Sequence, residues 1–454
     1  MTRRRIGAER AWESGSPTFV ARLKGHTDKV TAAKFVAVPG VRPATGGASF
    51  YLGKWSDKHS NITYISEPPL LITASFDNSI RIWHLHPPTP LLIVETPHSV
   101  SCMDADVLRE GAPRDDDEGT RPMVQALRVV IGSYLGTATL VVIEVVHRPV
   151  RAFEFGPAQA TEFRLRTIRS LGQVSGSPIS KVVLWGSWAL VASAGGVKAV
   201  HIHKNDVGAV NVAAPVRTDS SGLCIMNVFS TENTIKDVLP ITVASPDASH
   251  SRSFLFILAQ VAPNTRSASP GSNGVTVLDV TEFTHASESR PPMDPKIVSS
   301  TILDASVNES GVALYAGRSG TDTTVTVVRK NATRFSSHVS DLLSSVPATA
   351  QQQGDSPPWR LLPSDFRSEA DSINTCAYDR GRAVWLRTRS WGWWDDAPVM
   401  MEGEGGDSVW KRWGRAPRTQ DTLECVALDG DLVAVGTGNG FVDVVGFGVE
   451  VERA

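Results

Sequence analysis

His26, Ser75 and Asp77 stand in the first fifth of this 454-residue chain, with Trp83 close behind. Together the three types could build an acyl-transfer triad, where imidazole takes the serine proton and carboxylate orients the imidazole. That chemistry also needs an exposed nucleophile and donors for the developing oxyanion. No Gly-x-Ser-x-Gly element, which would lift a serine onto a strained turn, occurs in the sequence. His201 and His203 put two imidazoles on one face of a strand, because side chains alternate there. They could be half of a metal site, yet no third ligand stands nearby in sequence. Gly436-Thr-Gly-Asn-Gly440 is followed by a strand-like run, so it reads as a hairpin turn and not as a phosphate cradle. Asp115 to Glu118 lacks the spaced oxygens and glycine turn of a calcium loop and reads as a solvated acidic loop. The expectation is a chain with no catalytic residue, no cofactor and no metal.

The most aromatic stretch is Trp391-Gly-Trp-Trp394, with Trp385, Trp410 and Trp413. Arg387, Arg389, Lys411, Arg412 and Arg415 are interleaved with it. Such mixtures can stack single-stranded nucleic acid. They also make sheet core with cation–π cladding, which is the expected reading here, with protein binding ahead of nucleic acid after it. Lys and Arg number 45 against 47 Asp and Glu, a net charge of −2, so no global field draws in nucleic acid or an anionic membrane. Hydrophobic residues make up 41%, enough for a large core and too many for a disordered chain. Cys102, Cys224, Cys376 and Cys425 are far apart and fit neither a disulfide framework nor a zinc clip. Met1 to Arg10 is charged, without the apolar stretch of a signal peptide, and no apolar run reaches membrane-spanning length. A cytoplasmic and/or nuclear location is expected.

The elements that must position these residues are strands. Val129–Ile143, Leu190–Ile202, Val312–Val328 and Leu432–Val445 each read as a β-branched run, a Gly/Ser/Asn turn and a second run. Helical spacing is absent from these windows. The class is all-β. Turn-rich stretches near 39–68, 110–121, 262–273 and 344–372 read as loop insertions. Residues 1–17 read as a flexible basic arm and 449–454 as a tail.

One unit is specific. Leu23-Lys-Gly-His26, then Ser75-Phe-Asp77, then Ile80-Arg-Ile-Trp83 resembles a WD40 repeat, with Trp-His where that family most often has Trp-Asp. Ser133 and Thr437 can be laid on Ser75, Gly136 on Asn78, and Asn439 on Asp77. The resemblance implies a β-propeller of about seven four-stranded blades, near 18–86, 90–148, 150–204, 207–285, 296–330, 333–400 and 407–448. Thr18–Leu23 is a strand with no earlier partner, and the last unit lacks an outer strand, so the first should complete the last.

By the same resemblance His26, Ser75, Asp77 and Trp83 form a structural hydrogen-bonded chain, with the serine hydroxyl between imidazole and indole. Partners are expected on the face carrying Lys29 and Phe76, with Tyr134 and Arg318 as counterparts in later units. A cation beside aromatics suits an acidic or phosphorylated peptide. The implied function is a non-enzymatic protein-interaction scaffold, a monomeric propeller within a complex. An alternative comes from Arg3–Trp12, Gly15 and Leu23–His26, which resemble the segment joining an F-box to a WD propeller. That implies a substrate receptor of a cullin–RING ubiquitin ligase, with the ligase adaptor as partner.

Overall fold

The structure, a computed structural model, describes residues 17–38, 69–85, 88–108, 123–147, 161–202, 225–244, 251–260, 273–282, 295–304, 311–319, 322–331, 333–344, 359–362, 372–379, 382–395, 413–415 and 420–447. Strand β1 spans Thr18–Lys24. The first sheet is β2 (Val30–Val36), β3 (Leu70–Ser75), β4 (Ser79–Trp83) and β5 (Pro90–Glu95), in that order. The second is β6 (Val100–Leu108), β7 (Met123–Ser133), β8 (Thr137–His147) and β9 (Thr161–Gln173). The third has six strands, β10 (Ile179–Trp185), β11 (Trp188–His201), β12 (Ile225–Ala244), β13 (Ser251–Gln260), β14 (Asn273–Asp279) and β15 (Lys296–Asp304). The fourth is β16 (Gly311–Ser319), β17 (Asp322–Arg329), β18 (Arg334–His338) and β19 (Arg360–Leu362), with helix α1 (Val339–Ser344) after β18. The fifth is β20 (Thr375–Asp379), β21 (Arg382–Leu386), β22 (Trp391–Asp395) and β23 (Trp413–Arg415). The last is β24 (Leu423–Asp429), β25 (Leu432–Thr437) and β26 (Phe441–Gly446), with β1 outermost beside β26.

All pairing is antiparallel, and the sheets stand face to face around a closed ring. Ile72, Ile80 and Ile82 of the first sheet pack on Leu127, Val129 and Ile143 of the second. Val384, Leu386 and Trp391 of the fifth pack on Val433 and Val435 of the last. Leu432, Ala434 and Val444 then meet Leu71 and Trp83 of the first, which closes the circle. Middle strands are buried on both faces, so Leu70–Ser75 and Leu432–Thr437 are buried at every residue. That is why these runs are continuously apolar or small rather than alternating. This architecture is a β-propeller.

The count of about seven four-stranded blades is corrected to six sheets, five of four strands and one of six. The difference lies in one place. β12 runs unbroken for 20 residues. Its first part pairs with β11 (Val200↔Ile225 to Gly196↔Ser230) and its second with β13 (Thr234↔Gln260 onward). Two stretches read from the sequence as separate units are thereby one sheet. Closure also differs in detail from a plain ladder, because the β1–β26 register shifts between Phe19 and Ala21. Within 344–372, Arg360–Leu362 is a strand; residues 345–358 and 363–371, the other three turn-rich stretches except Asn273, the arm to residue 16 and the tail lie outside the described residues.

Neighbouring sheets are also laced by polar groups. Thr31 Oγ1 donates to the Val100 carbonyl (2.8 Å) and Ser101 Oγ to that of Ile179 (2.7 Å), each in the next sheet, and within the third sheet Ser180 Oγ on β10 reaches the Ile235 carbonyl on β12 (2.8 Å). Each hydroxyl sits on a bulge near the start of an inner strand. A bulge re-aims the side chain, which lets it reach a strand that its own strand does not pair with. Asp104 pairs with Lys34 of the preceding sheet and accepts the Leu184 N–H of the next (2.7 Å). Asp237 pairs with Lys181 of β10 in its own sheet (3.0 Å) and accepts the Leu314 N–H of the fourth sheet (2.8 Å).

Candidate functional site

The rim where the inner strands begin carries the histidine network and, beside it, an exposed aromatic cluster. The tip of the β3–β4 hairpin is Ser75-Phe-Asp-Asn78, and Asn78 takes φ 61°. The matching tips are Ser133-Tyr-Leu-Gly136 and Thr437-Gly-Asn-Gly440, where both final glycines have φ 79°. A side chain is strained in that region, and asparagine tolerates it better than most. The register agrees, since Ser75, Ser133 and Thr437 face Val30, Val100 and Leu423 at the starts of their neighbours.

Behind the first tip, Trp83 Nε1 donates to Thr73 Oγ1 (2.7 Å), and Thr73 Oγ1 meets His26 Nε2 (2.8 Å). His26 Nδ1 faces Asp77 Oδ2 at 3.0 Å. Asp77 also accepts from the Thr27 N–H (2.9 Å), the Ser79 N–H (3.0 Å) and the Ser79 hydroxyl (2.7 Å). The neutral imidazole with its proton on Nδ1 satisfies every group. It donates to Asp77 and accepts the threonine O–H, whose oxygen accepts the indole N–H. The hydroxyl between imidazole and indole therefore belongs to Thr73, a correction to the expected role of Ser75. Ser75 Oγ instead donates to the Asp28 carbonyl (3.1 Å) and accepts the Asp77 N–H (3.1 Å), tying the hairpin to the loop before β2. Ser75 is fully buried and directed away from His26, so the set lacks the geometry of a hydrolytic triad.

Burial pushes the His26 imidazole below its ordinary 6.5, against the opposing pull of Asp77. Burial pushes the Asp77 carboxyl up, but hydrogen bonds from Ser79, Thr27 and His26 bring it below its ordinary 3.8. Both shifts make acid destabilising. The unfolded chain takes up a proton at His26 below 6.5 before the folded chain does, so stability falls from there to the lower folded value. The Asp77 contribution is present above 3.8 and is lost as pH falls through the lower folded value. The melting temperature should therefore drop as pH is lowered from 7 to 5, with a shallower slope in His26→Gln. Parallel profiles for the two proteins would show that His26 is not the group responsible.

In front of the network stands the cluster. Phe76 and Tyr134, from hairpins of different sheets, meet edge to face with centroids 4.9 Å apart. Lys29 Nζ lies 4.8 Å from the Phe76 ring and 5.4 Å from that of Tyr134. Three of the four residues expected at a partner face are thus in one place. The backbone holds them there, as the Phe76 N–H donates to the Lys29 carbonyl (3.0 Å) and Ser99 Oγ to Asn78 Oδ1 (2.9 Å). Tyr134 is 38% exposed and Leu135 beside it 62%. Leu135 escaped the sequence reading, although an apolar residue at the position of Asp77 was a signal that could have marked it.

Arg318 does not join them. It stands near the end of β16, opposite Thr323 and next to the Ser319↔Asp322 pair. Phe76 and Tyr134 follow the ends of second strands, opposite the starts of first strands. Arg318 is therefore on the opposite rim, and Lys330, directly after the Gly311↔Arg329 pair, takes the Phe76 position in that sheet.

Trp385, Trp391 and Trp393 belong to the core. Trp385 is fully buried, Trp391 is 5.8 Å from Trp393, and Trp393 meets Phe447 at 5.1 Å. Arg387 lies over Trp385 (5.1 Å) and Arg382 over Phe447 (4.0 Å). Trp410, Lys411, Arg412, Cys224, His203 and Asp115–Glu118 lie outside the described residues. His201 packs against Trp188 at 4.7 Å. Among the described residues no group of three or more His, Cys, Asp or Glu is placed to hold a metal, and no helix is long and apolar enough to cross a membrane. Burial raises the thiols of Cys102 to about 11 and Cys425 to about 12, which removes them as nucleophiles at neutral pH.

No protein-family model matches this chain, and no curated protein sequence matches it. Several solved structures are similar in arrangement. The computationally designed protein Ika8 is 11% identical with TM-score 0.45, over 94% of this chain and 99% of that one. Raptor of Chaetomium thermophilum is 8% identical with TM-score 0.48, over 96% of this chain and 29% of that one. The WD40 β-propeller domain of Doa1 is 10% identical with TM-score 0.46, over 95% and 97%. At such identities no residue role transfers.

Proposed function

We propose that this propeller is a non-enzymatic scaffold that binds a peptide segment of a protein partner on the rim bearing Lys29, Phe76, Tyr134 and Leu135. The observation that carries the reading is the aromatic pair built from two sheets, half open to solvent, capped by a cation and flanked by an exposed leucine. Aromatics at such junctions give large contact area at low entropy cost. The likeness of the first unit to a WD40 repeat supports it, because propellers of that family are mostly interaction platforms. A cytoplasmic or nuclear setting goes with this reading.

Phe76→Ala should leave folding stability within about 1 kcal/mol, since the ring is not enclosed by core. It should also release partners that tagged wild-type protein recovers from native extract. A large melting drop, or an unchanged set of partners, would remove Phe76 from a binding face. The ligase-receptor alternative rests on sequence likeness in residues 3–26, of which 3–16 lie outside the described residues. Recovery of a cullin and its adaptor in the same experiment would favour it.

A further inference from the structure

Lys29 is a cation without an answering anion. Its ammonium stands 4.8 Å from the Phe76 ring and 5.4 Å from the Tyr134 ring, so two rings from different sheets fix its place. Ring faces carry partial negative charge, which attracts a cation but does not neutralise it. The acids on the same loop and hairpin are turned elsewhere. Asp28 Oδ1 accepts the Lys29 backbone N–H (2.7 Å). Asp77 accepts from His26, Thr27 and Ser79. Among the described residues no carboxylate pairs with the Lys29 ammonium. Beside the cation lies apolar surface, with Leu135 62% exposed and Tyr134 38%. The tip that presents both is held from behind, where the Gly136 carbonyl accepts the N–H groups of Val174 (2.9 Å) and Ser175 (3.1 Å).

We infer that the partner's segment seats a single carboxylate, from an aspartate or a glutamate, on Lys29 and the aliphatic side chain next to it on Leu135 and Tyr134. The segment then lies across the junction of the first and second sheets. Residue types alone suit an acidic or a phosphorylated peptide, and the geometry chooses between them. One ammonium balances one carboxylate. A phosphoryl group carries roughly −1.5 to −2 charges at neutral pH and would leave charge uncompensated beside two ring faces. The rings hold the ammonium in place before binding, so less side-chain entropy is lost when the pair forms. The inference rests on this rim being the partner face, and it adds the chemistry that the partner must carry there.

The test presents the full chain with immobilised peptide mixtures, degenerate except at two adjacent positions. Those positions are fixed as Glu-Leu, Gln-Leu, Glu-Ser or phosphoserine-Leu. The Glu-Leu mixture should be bound about tenfold or more above Gln-Leu, the worth of one charge-assisted hydrogen bond. Lys29→Gln should erase that preference, and Leu135→Ser should erase the preference for Glu-Leu over Glu-Ser. Neither side chain is buried, so each variant should keep the wild-type melting transition. Equal binding of Glu-Leu and Gln-Leu, a glutamate preference that survives Lys29→Gln, or no binding of any mixture would overturn the carboxylate seat. Stronger binding of the phosphoserine-Leu mixture would overturn it in favour of a phosphoryl group. A leucine preference that survives Leu135→Ser would overturn the aliphatic half. If Phe76→Ala releases partners from extract while Lys29→Gln changes nothing, the scaffold reading stands and the seat falls. If Phe76→Ala releases none, both fall.

Discussion

A chain lacking Thr18–Lys24 should fail to form a cooperatively melting ring at all. β1 is the outer strand of the last sheet, yet it is the first element among the described residues, so it ties the early part of the ring to the late part. Its loss would strip β26 of its ladder partners from Lys24↔Phe441 to Thr18↔Gly446 and leave an open edge. Leu23, fully buried, packs in one cluster with Val30, Trp83, Leu432 and Val442, which seals the last sheet against the first. Emptying that place alone, as in Leu23→Ala, should cost about 2–5 kcal/mol. Most folded domains hold only about 5–15 kcal/mol in total, and the deletion removes the strand as well as the leucine. The Arg22–Asp443 pair is a smaller part. Its two contacts are 2.6 and 2.8 Å, but the arginine is well exposed. Arg22→Ala should therefore cost no more than about 1 kcal/mol. Circular dichroism melts and size exclusion distinguish the cases. A truncated chain with an unchanged sharp transition would show that the ring closes without β1.

The β-branched runs made the strands legible, because middle strands buried on both faces need apolar or small residues throughout. The grouping of strands was less legible. Nothing local to Ile225–Ala244 says that one extended run serves two neighbours, since pairing is decided by strands distant in sequence. Arg318 was misplaced for a related reason. The hairpin of Val312–Val328 has the same pattern of β-branched run, small-residue turn and second run as Val129–Ile143, but it joins first and second strands where the other joins second and third. The two hairpin kinds point to opposite rims, and their turns look alike in sequence. Lys29, Phe76 and Tyr134 came together because the Ser/Thr…Asn/Gly tips fix their own register through the left-handed last position. The polar lacing by Thr31, Ser101 and Ser180 was invisible, as a single hydroxyl in a strand has no distinctive sequence neighbourhood. Thr73 was hidden differently. It shares a face with Ser75 by the two-residue period, and as a β-branched residue it reads as ordinary strand.

That threonine makes the second large effect testable in detail. Trp83→Ala should destabilise the protein by about 3–5 kcal/mol, because the indole is wholly buried where the last sheet meets the first. Its ring also touches Gly25, where an added Cβ would come within 3.1 Å of Trp83 Cη2, so the loop carrying His26 rests on it. Part of the cost belongs to the hydroxyl chain. Thr73→Val keeps the volume, yet it removes the acceptor of the indole N–H and the donor to His26 Nε2. Each orphaned buried group costs about 1–3 kcal/mol. Trp83→Phe keeps much of the apolar contact and removes the N–H together with part of the ring volume, a loss common to both arms of the cycle. Once Thr73 is valine, that N–H is already unpaired, so Trp83→Phe should then cost less than it does in the wild type. The coupling between the two substitutions should be at least about 0.5 kcal/mol, measured by denaturant unfolding of the four proteins in the cycle. Additive costs would mean that the indole does not depend on Thr73. His26 would still be held by Asp77 through Nδ1, but the hydroxyl chain from indole to imidazole would be broken at its first step.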